Sequence, residues 1–459
     1  MRNLIAAIDL GTTKVVCLVG EKTAAGIKII ALSEAPSKGV SRGEVVNIQS
    51  VLDSMMPTIR NVENAIGEKI NEVFVGIAGQ NIRCEQGTDQ TIRLNPDELI
   101  TTEEIDEITR KMYGTFCQGG EEVLHAIPQS YIVDDHMGIT EPVGMPGKQI
   151  FSNFKLFIGR KTSAQFSNNV IARANLKLKE LVLEPLASAK AVLDEEETEI
   201  GVAMLDIGGG TSDLLIIQDN IIRHTAVIPF GGNCITEDVK QGCGVSSKIA
   251  EQLKTDHGSC MSSLAQENKR VIIPGVGGRE NKEISLKHIA GIIEARVEEI
   301  LEAALYEIEK SGYKNKIKAG LVITGGTSQL ANIRQLANLV TGLETRLAYP
   351  GREFCDTDAQ VCKPSLSTAV GLVLMGFEKM EREGTVYNTT TPINYQNVEE
   401  EPVAVEVEAP AAQAAENGAA ATPAASEPAK EPKKKGNGFS FQKFFSQFKD
   451  DNMFNENDA

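Results

Sequence analysis

Short apolar runs alternate along most of the chain with longer stretches whose apolar residues recur every three or four positions. Short runs of this kind predict buried strands, and the periodic stretches predict amphipathic helices packed on a sheet. The alternation therefore predicts an α/β protein. The strand candidates include LIAAIDL, VVCLVG, IKIIALSEA and NEVFVGIAG, and the helix candidates lie near 102–115, near 165–179 and within 237–311.

One sequence motif, a strand followed by a turn, occurs twice, as IDLGTTKV at 8–15 and as LDIGGGTSDLLII at 205–217. In each copy an apolar run delivers an aspartate, a short turn of Gly, Thr or Ser follows, and a second apolar run begins. The repeat predicts a duplicated unit whose two halves face each other. A third glycine turn, TGG at 324–326, follows a later apolar run.

Residues 82–161 interrupt the alternation of strands and helices. Thr101 and Glu104 form a capping-box pattern for the helix near 102–115. The strand-like segments SYIVDD and KLFIG then flank the Gly- and Pro-rich EPVGMPGK. This block predicts a small inserted subdomain.

The composition changes after about residue 387. Residues 388–432 have too few large apolar residues to offset the entropy of ordering, which predicts a disordered linker. In the tail at 433–459, four phenylalanines recur at helical spacing. Phenylalanines at this spacing form a stripe along one face of a helix. Such a stripe usually packs in a core, but its position beyond the linker favours an amphipathic helix that binds a membrane. The predicted membrane-binding residues are Phe441, Phe444, Phe445, Phe448, Lys443 and Lys449.

The composition and net charge exclude several kinds of protein. The chain has 459 residues, which fits roughly two to four domains, and its net charge of −17 argues against a general nucleic-acid-binding protein. The eight cysteines and five histidines are scattered, without the spacing of a zinc site. The chain shows neither a long apolar run nor a signal-peptide pattern, so we expect a cytoplasmic protein with free thiols.

The repeated turns have the composition of a site for a phosphate chain. Backbone N–H groups in tight turns form concave anion sites, and glycine lets a phosphate approach closely. Magnesium takes only one or two carboxylates, so Asp9 and Asp206 would hold it mainly through water. A plain glycine turn is the alternative for either copy, but the repeat together with TGG favours binding of ATP and Mg²⁺. The predicted phosphate-binding residues are Gly11, Thr12, Thr13, Gly208, Gly209, Gly210 and Thr211.

Two glutamates are further candidates. Glu184 begins EPLASAKAVL, and a carboxylate there could orient or deprotonate an attacking water. It is equally explained as an N-terminal glutamate that favours the helix dipole, with Pro185 in the first turn. Glu251 could bond a ribose, although a glutamate on a helix surface is the commoner explanation.

The ordered motifs resemble the ATPase superfamily of actin, heat-shock chaperones and sugar kinases. Its five nucleotide-binding segments match, in order, IDLGTTKV, EPLASAKAVL, LDIGGGTSD, ITGGTSQL and STAVGLVLMG. Over about residues 4–380 the chain resembles the FtsA family of bacterial cell-division proteins in further segments. These are VSRGEVVNI, GIAGQNIR, GITEPVGMPGKQI and RHTAVIPFGGNCITEDV.

The resemblance implies a two-lobed actin-like ATPase fold of duplicated ribonuclease-H-like domains with an inserted subdomain, called 1C. By matched position, Asp9 and Asp206 become the metal-associated aspartates, Glu184 takes the water-orienting position, and Gly325 and Gly326 lie against the adenosine. The implied division is subdomain 1A at 1–81, 162–198 and 363–387, subdomain 1C at 82–161, subdomain 2A at 199–236 and 312–362, and subdomain 2B at 237–311.

The leading hypothesis for function is an ATP-dependent scaffold that forms filaments on the cytoplasmic face of the cell membrane at the division site. The resemblance implies that subdomain 2B binds the C-terminal peptide of FtsZ, that subdomain 1C recruits other division proteins, and that the tail binds anionic lipids. Arg296 matches a basic position implicated in the FtsZ contact, although a solvated arginine on a helix face explains it at least as well. Hydrolysis of ATP would be slow or absent.

Three other members of the superfamily are alternatives. A small-molecule kinase would need a polar substrate pocket and a catalytic base, and it would have no use for the tail. A chaperone is disfavoured because no β-rich peptide-binding domain follows the ATPase segments. A pilus-assembly ATPase is disfavoured by EPVGMPGKQI and by the tail.

Overall fold

Two five-stranded sheets of similar design organise the chain. A computed structural model describes residues 2–392 except 80, 116, 118, 276, 278, 279, 352–359 and 385–388. The elements up to residue 200 are β1 (Asn3–Leu10), β2 (Lys14–Thr23), β3 (Gly26–Pro36), β4 (Val40–Ser41), β5 (Glu44–Val45), α1 (Ile48–Ile66), β6 (Glu68–Ile70), β7 (Glu72–Ile77), β8 (Arg83–Ile92), α2 (Thr102–Met112), β9 (Glu121–Val133), β10 (His136–Ile139), β11 (Gln149–Arg160), α3 (Lys161–Arg173), β12 (Lys177–Leu183), α4 (Glu184–Val192) and α5 (Glu195–Ile200). The later elements are β13 (Val202–Ile207), β14 (Ser212–Gln218), β15 (Ile221–Ile228), α6 (Gly232–Cys243), α7 (Ser247–His257), β16 (Arg270–Ile273), β17 (Lys282–Ser285), α8 (Leu286–Lys310), β18 (Leu321–Thr324), α9 (Ile333–Thr341), β19 (Thr345–Leu347), α10 (Ser367–Arg382) and β20 (Thr390–Pro392).

Both large sheets have the same strand order and the same strand directions. The first runs β3, β2, β1, β7, β12 and the second runs β15, β14, β13, β18, β19. In each, the first three strands are antiparallel, and the last two run parallel to the central strand. The predicted duplication is therefore confirmed. We call the first sheet with α1, α3 and α10 the first lobe, and the second sheet with α6 to α9 the second lobe.

A four-stranded antiparallel sheet interrupts the first lobe between β7 and α3. Its order is β10, β9, β11, β8, and with α2 it encloses a small core that includes Ile108 and Phe154. The predicted capping box is confirmed, because Thr101 and Glu104 exchange hydrogen bonds at the start of α2. We call residues 83–160 the insert.

Helices α4 and α10 pack against each other where the two lobes meet. Gly371 of α10 lies so close to Ala187 of α4 that a Cβ on Gly371 would overlap the Ala187 carbonyl. The apolar side chains of both helices belong to one buried cluster that also contains Phe157 of the insert and Leu215 of the second lobe. A continuous core therefore joins both lobes and the insert.

The residue before β20 fills a gap between β1 and β7. Thr389 is fully buried and donates its N–H to the Leu4 carbonyl at 3.1 Å. Its own carbonyl accepts the N–H groups of Asn71 and Glu72 at 2.8 and 3.2 Å, and its hydroxyl accepts the N–H of Ala6 at 2.8 Å. Thr389 thus satisfies backbone groups at the starts of β1 and β7.

Replacing Thr389 with valine is expected to destabilise the protein. Thr389→Val keeps the shape of the side chain but leaves the buried N–H of Ala6 without its acceptor, a loss of about 1–3 kcal/mol. Urea unfolding followed by circular dichroism measures it. Thr389→Ser keeps the hydroxyl and serves as the control, expected to lose less than half as much. A valine variant as stable as the wild type would contradict this role for the hydroxyl.

The helix predicted near 165–179 is wrong at its C-terminal end. The helix ends at Arg173, and Asn175 adopts a left-handed conformation with φ of 57°. Residues 177–183 then form β12, which pairs in parallel with β7. This pairing decides the conformation of KLKELVL, because strand preference depends on neighbouring strands more than on local composition.

The predicted linker at 388–432 begins too early. Residues 390–392 form β20, paired with β6, because buried hydrogen bonds hold this segment against the first lobe. The rest of the predicted linker and the tail lie outside the described residues. Among the residues that are described, no helix combines the length and the apolar character needed to cross a bilayer.

Candidate functional site

The ends of β1 and β13 face a cavity of about 400 Å³ between the two lobes. Small-molecule sites in proteins have volumes in this range. The residues predicted from separate parts of the sequence to bind the nucleotide or its metal, and the residue predicted to orient water, all line this cavity. They are Asp9, Gly11, Thr12, Thr13, Glu184, Asp206, Gly208, Gly209, Gly210, Thr211, Glu251, Gly325 and Gly326.

The two predicted phosphate loops lie in contact. A Cβ on Gly210 would lie 2.5 Å from the Thr12 hydroxyl oxygen, and one on Gly209 would overlap the Thr13 hydroxyl. Only glycine permits so close an approach. The Thr12 hydroxyl also accepts the N–H of Gly43 at 3.1 Å. The β1–β2 and β13–β14 turns thus meet at one wall of the cavity.

Three buried aspartates and the half-buried Glu184 share the cavity. Burial raises the pKa of Asp9 to about 7, with the Lys14 ammonium opposing this shift and repulsion from Asp206 adding to it. Burial likewise raises the pKa of Asp206 to about 6 and that of Asp213 to about 8. Burial, reinforced by the neighbouring aspartates, raises the pKa of Glu184 well above its ordinary value. A cation bound among these groups would stabilise their ionised forms.

Hydroxyl groups from both joining helices orient Asp206. The Ser188 hydroxyl of α4 donates to Asp206 Oδ2 at 2.6 Å, and it lies 3.0 Å from the Thr368 hydroxyl of α10. Both hydroxyls oppose the effect of burial on the pKa of Asp206. On the first lobe, Glu184 packs against Gly76, where a Cβ would lie 3.0 Å from Glu184 Cγ. These contacts fix two of the carboxylates independently of any ligand.

Asp213 is a candidate residue that sequence reasoning missed. It lies directly opposite Asp206 in the β13–β14 ladder, so the hairpin register of LDIGGGTSD would have identified it. Its Oδ2 accepts the Thr211 hydroxyl at 3.3 Å, while its Oδ1 is buried without a hydrogen-bond partner.

The donor set fits a magnesium ion held largely through water. Among the described residues, no group of three or more His, Cys, Asp or Glu side chains could hold a metal directly. Magnesium keeps several of its waters and needs only one or two carboxylates, and a water of that shell would satisfy the orphaned Asp213 oxygen.

A buried lysine on the second lobe was also missed. Lys254 Nζ donates to the Gly232 carbonyl at 3.1 Å and to the Thr236 hydroxyl at 2.9 Å, and it pairs with Glu251 at 2.8 Å. Glu251 also accepts a hydrogen bond from Thr236. Glu251 is therefore part of a polar network on the cavity wall, although 44% of its side chain remains exposed.

The third glycine turn approaches the side of the cavity where Asp206 lies. Gly325 has a φ of 89° and lies against the Asp206 carboxylate and the Ile207 backbone. Gly326 lies beside Ser365, with its Cβ position 3.7 Å from the Ser365 Cβ. Their contact with adenosine stays a prediction.

Arg296, the described residue predicted to bind a partner, does not line this cavity. Arg296 of α8 pairs with Asp238 of α6 at 2.5 Å and with Glu299 at 2.5 Å, and a quarter of its side chain is exposed. It therefore holds two helices of the second lobe together, a role that the sequence did not indicate. The phenylalanines and lysines predicted to bind a membrane lie outside the described residues.

The buried carboxyls predict a pH dependence of stability in the nucleotide-free protein. Their raised pKa values mean that the folded state keeps protons that the unfolded chain has released above about pH 4. Stability is therefore lost as the pH rises toward about 8. Asp213→Asn should flatten this slope and raise the free energy of unfolding at pH 8 by about 1–3 kcal/mol. Thermal unfolding at pH 6, 7 and 8 measures both effects.

The matched control replaces an exposed aspartate of the same lobe. Asp219 lies in the β14–β15 turn and pairs with Arg223, and Asp219→Asn should leave the slope unchanged. If the free energy of unfolding of Asp213→Asn fell with pH as steeply as that of the wild type, Asp213 would not be holding a proton in the folded state.

Two family models match the chain. One is described as cell division protein FtsA and covers residues 203–371, and the other is described as the SHS2 domain inserted in FtsA and covers residues 79–158. The second match coincides closely with the insert.

Curated relatives match over most of the chain. The cell division protein FtsA of Pseudomonas aeruginosa is 34% identical over 397 residues, covering 85% of this chain and 94% of its own. That of Neisseria meningitidis is 35% identical, covering 81% of this chain and 90% of its own, and that of Escherichia coli is 32% identical, covering 82% and 91%.

Solved structures show the same fold at low identity. The PilM–PilN type IV pilus biogenesis complex has a TM-score of 0.57 at 14% identity, covering 81% of this chain and 98% of the solved one. MreB5 of Spiroplasma citri bound to AMPPNP has a TM-score of 0.51 at 14% identity, covering 83% and 99%. These similarities confirm the predicted actin-like fold.

Proposed function

Because the chain belongs to the FtsA family of cell-division proteins, we propose that it binds ATP with Mg²⁺ between its lobes and forms filaments on the cytoplasmic face of the cell membrane. It is an actin-like cell-division protein, and a small-molecule kinase is not favoured. The observation that carries the proposal is the cavity between the lobes, where residues predicted from four of the five motifs converge together with Glu251.

The chemistry of the cavity supports a nucleoside triphosphate with its metal. The turns at 11–13 and 208–211 would hold the phosphates through backbone N–H groups and threonine hydroxyls. Asp9, Asp206 and Asp213 would hold the magnesium ion through its waters, and the ion would offset the charge that their burial disfavours. The MreB5 structure holds AMPPNP, which supports an adenine nucleotide at the corresponding position here.

The nucleotide would act as a bridge between the lobes. Phosphate loops of both lobes line one cavity, so a bound triphosphate would favour the closed arrangement that assembles into filaments. Glu184 would orient a water toward the phosphates. We expect hydrolysis to be slow, because holding the lobes closed requires binding and not rapid turnover.

The remaining parts of the chain would supply the partners. We propose that the insert corresponds to subdomain 1C and recruits other division proteins, and that subdomain 2B at 237–311 binds the C-terminal peptide of FtsZ near Arg296. The tail would attach each subunit to anionic lipids at the division site. A filament would gather many such weak anchors into firm attachment.

Turnover of ATP separates the scaffold from a kinase of the same superfamily. The purified protein is assayed with magnesium-ATP alone and with a panel of sugars and small carboxylic acids. We expect ATP to bind and to be hydrolysed slowly at a rate that no compound in the panel changes. Strong stimulation by one of these compounds would contradict the scaffold.

A further inference from the structure

Strand β9 of the insert contacts both lobes behind the proposed nucleotide site. His125 Nε2 accepts the backbone N–H of Leu183 in the first lobe at 3.3 Å. Four residues later, the Gln129 side-chain amide donates to the Ile222 carbonyl of the second lobe at 2.8 Å. The insert is therefore hydrogen-bonded to both lobes through a single strand.

The contact made by His125 lies next to a residue of the proposed site. Leu183 is the last residue of β12, an edge strand of the first sheet, and Glu184 follows it as the first residue of α4. Pro185 comes next and fixes the backbone there, because its ring restricts its own φ and the conformation of the residue before it. A displacement of Leu183 would therefore be passed directly to Glu184.

His125 is suited to this contact in its neutral form. Burial lowers its pKa, the Glu180 carboxylate and the Leu181 backbone carbonyl oppose this effect, and the Lys379 ammonium adds to it. Only a neutral imidazole has a nitrogen that can accept the Leu183 N–H. His125 also lines a cavity of about 970 Å³ where the insert and both lobes meet. A change in that cavity can therefore reach the backbone beside Glu184 through one side chain.

We propose that His125 is a positioning residue for Glu184, through which the insert sets the geometry of the nucleotide site. The inference rests on the proposed function, in which Glu184 orients water beside bound ATP. It assigns the insert an effect on nucleotide chemistry, in addition to any role in recruiting partners. A misplacement of about 1 Å at a reacting centre is enough to slow chemistry by as much as a hundredfold.

The test compares two replacements of His125 in the full-length protein. His125→Leu keeps much of the bulk and removes the acceptor, whereas His125→Gln keeps an acceptor. His136→Leu is the control, because His136 is an exposed histidine on β10 of the same insert. Equilibrium binding of magnesium-ATP and single-turnover hydrolysis with protein in excess are measured for each variant, alone and together with Glu184→Gln.

We expect His125→Leu to bind ATP as the wild type does and to hydrolyse it about tenfold more slowly, with His125→Gln restoring most of the rate. In the Glu184→Gln background, His125→Leu should have no further effect, which a merely structural role would not produce. Three results would overturn the inference without contradicting ATP binding. The His125→Leu protein could hydrolyse ATP at the wild-type rate, or its effect could add to that of Glu184→Gln. The third is a wild-type protein that binds ATP without hydrolysing it. A wild-type protein that fails to bind ATP would overturn the proposed function itself.

Discussion

Removing residues 436–454 is expected to abolish cosedimentation with anionic vesicles while leaving the affinity for magnesium-ATP unchanged. Partial burial of four phenylalanines contributes about 4–8 kcal/mol, given about 1.5–3 kcal/mol for each complete burial. Each lysine near anionic lipid adds about 1 kcal/mol. The deletion removes all of this membrane-binding free energy. It lies far in sequence from the residues that line the proposed nucleotide site. Pelleting with vesicles and equilibrium nucleotide binding measure the two properties.

The control for this truncation shortens the chain without touching the stripe. Deleting residues 405–423 removes a segment of the same length from the predicted linker and leaves every phenylalanine of the stripe in place. That variant should still pellet with vesicles. Unchanged cosedimentation of the protein lacking 436–454 would refute the tail as the membrane anchor.

Replacing Asp206 with asparagine is expected to weaken magnesium-ATP binding about 10–100-fold and to reduce filament formation in parallel. Asp206 is the second-lobe carboxylate that hydroxyls from α4 and α10 orient toward the cavity. The asparagine keeps the size of the side chain but loses the charge that attracts the metal and its waters. Nucleotide binding with and without magnesium, together with pelleting of polymer, measures the change.

The same substitution at an exposed position isolates the effect of the site. Asp219→Asn alters the net charge of the same lobe equally and should bind magnesium-ATP as the wild type does. An Asp206→Asn protein that polymerises normally on ATP would count against a role for this carboxylate.

The grouping of the candidate site residues around one cavity could be predicted where those residues sit in short local patterns. The hairpins that carry Asp9 and Asp206 repeat one pattern of apolar residues, aspartate and glycine, and the structure brings both turns to one cavity. Asp213 belongs to the second of these hairpins and could have been found from its register. Glu251 lay on a recognisable helix, but its hydrogen bond with Thr236 depends on packing between α6 and α7.

Other features depend on contacts between residues far apart in sequence. Thr389 is hydrogen-bonded to Leu4 and Asn71, and His125 is hydrogen-bonded to Leu183. Because these partners are distant in sequence, neither Thr389 nor His125 stands out in its local sequence. The predicted C-terminal end of the helix near 165–179 was wrong for the same reason, because pairing with β7 makes residues 177–183 a strand. Local patterns pointed to the residues that line the cavity, whereas the contacts that hold those residues in place come from tertiary packing.

The central claim is that ATP closes the lobes into a form that polymerises on a membrane. Electron microscopy of the purified full-length protein on anionic lipid monolayers, with and without magnesium-ATP, tests it most directly. We predict filaments on the lipid with magnesium-ATP and dispersed protein without it. Filaments that form equally without nucleotide, or a protein that stays dispersed on the lipid with ATP present, would contradict the claim.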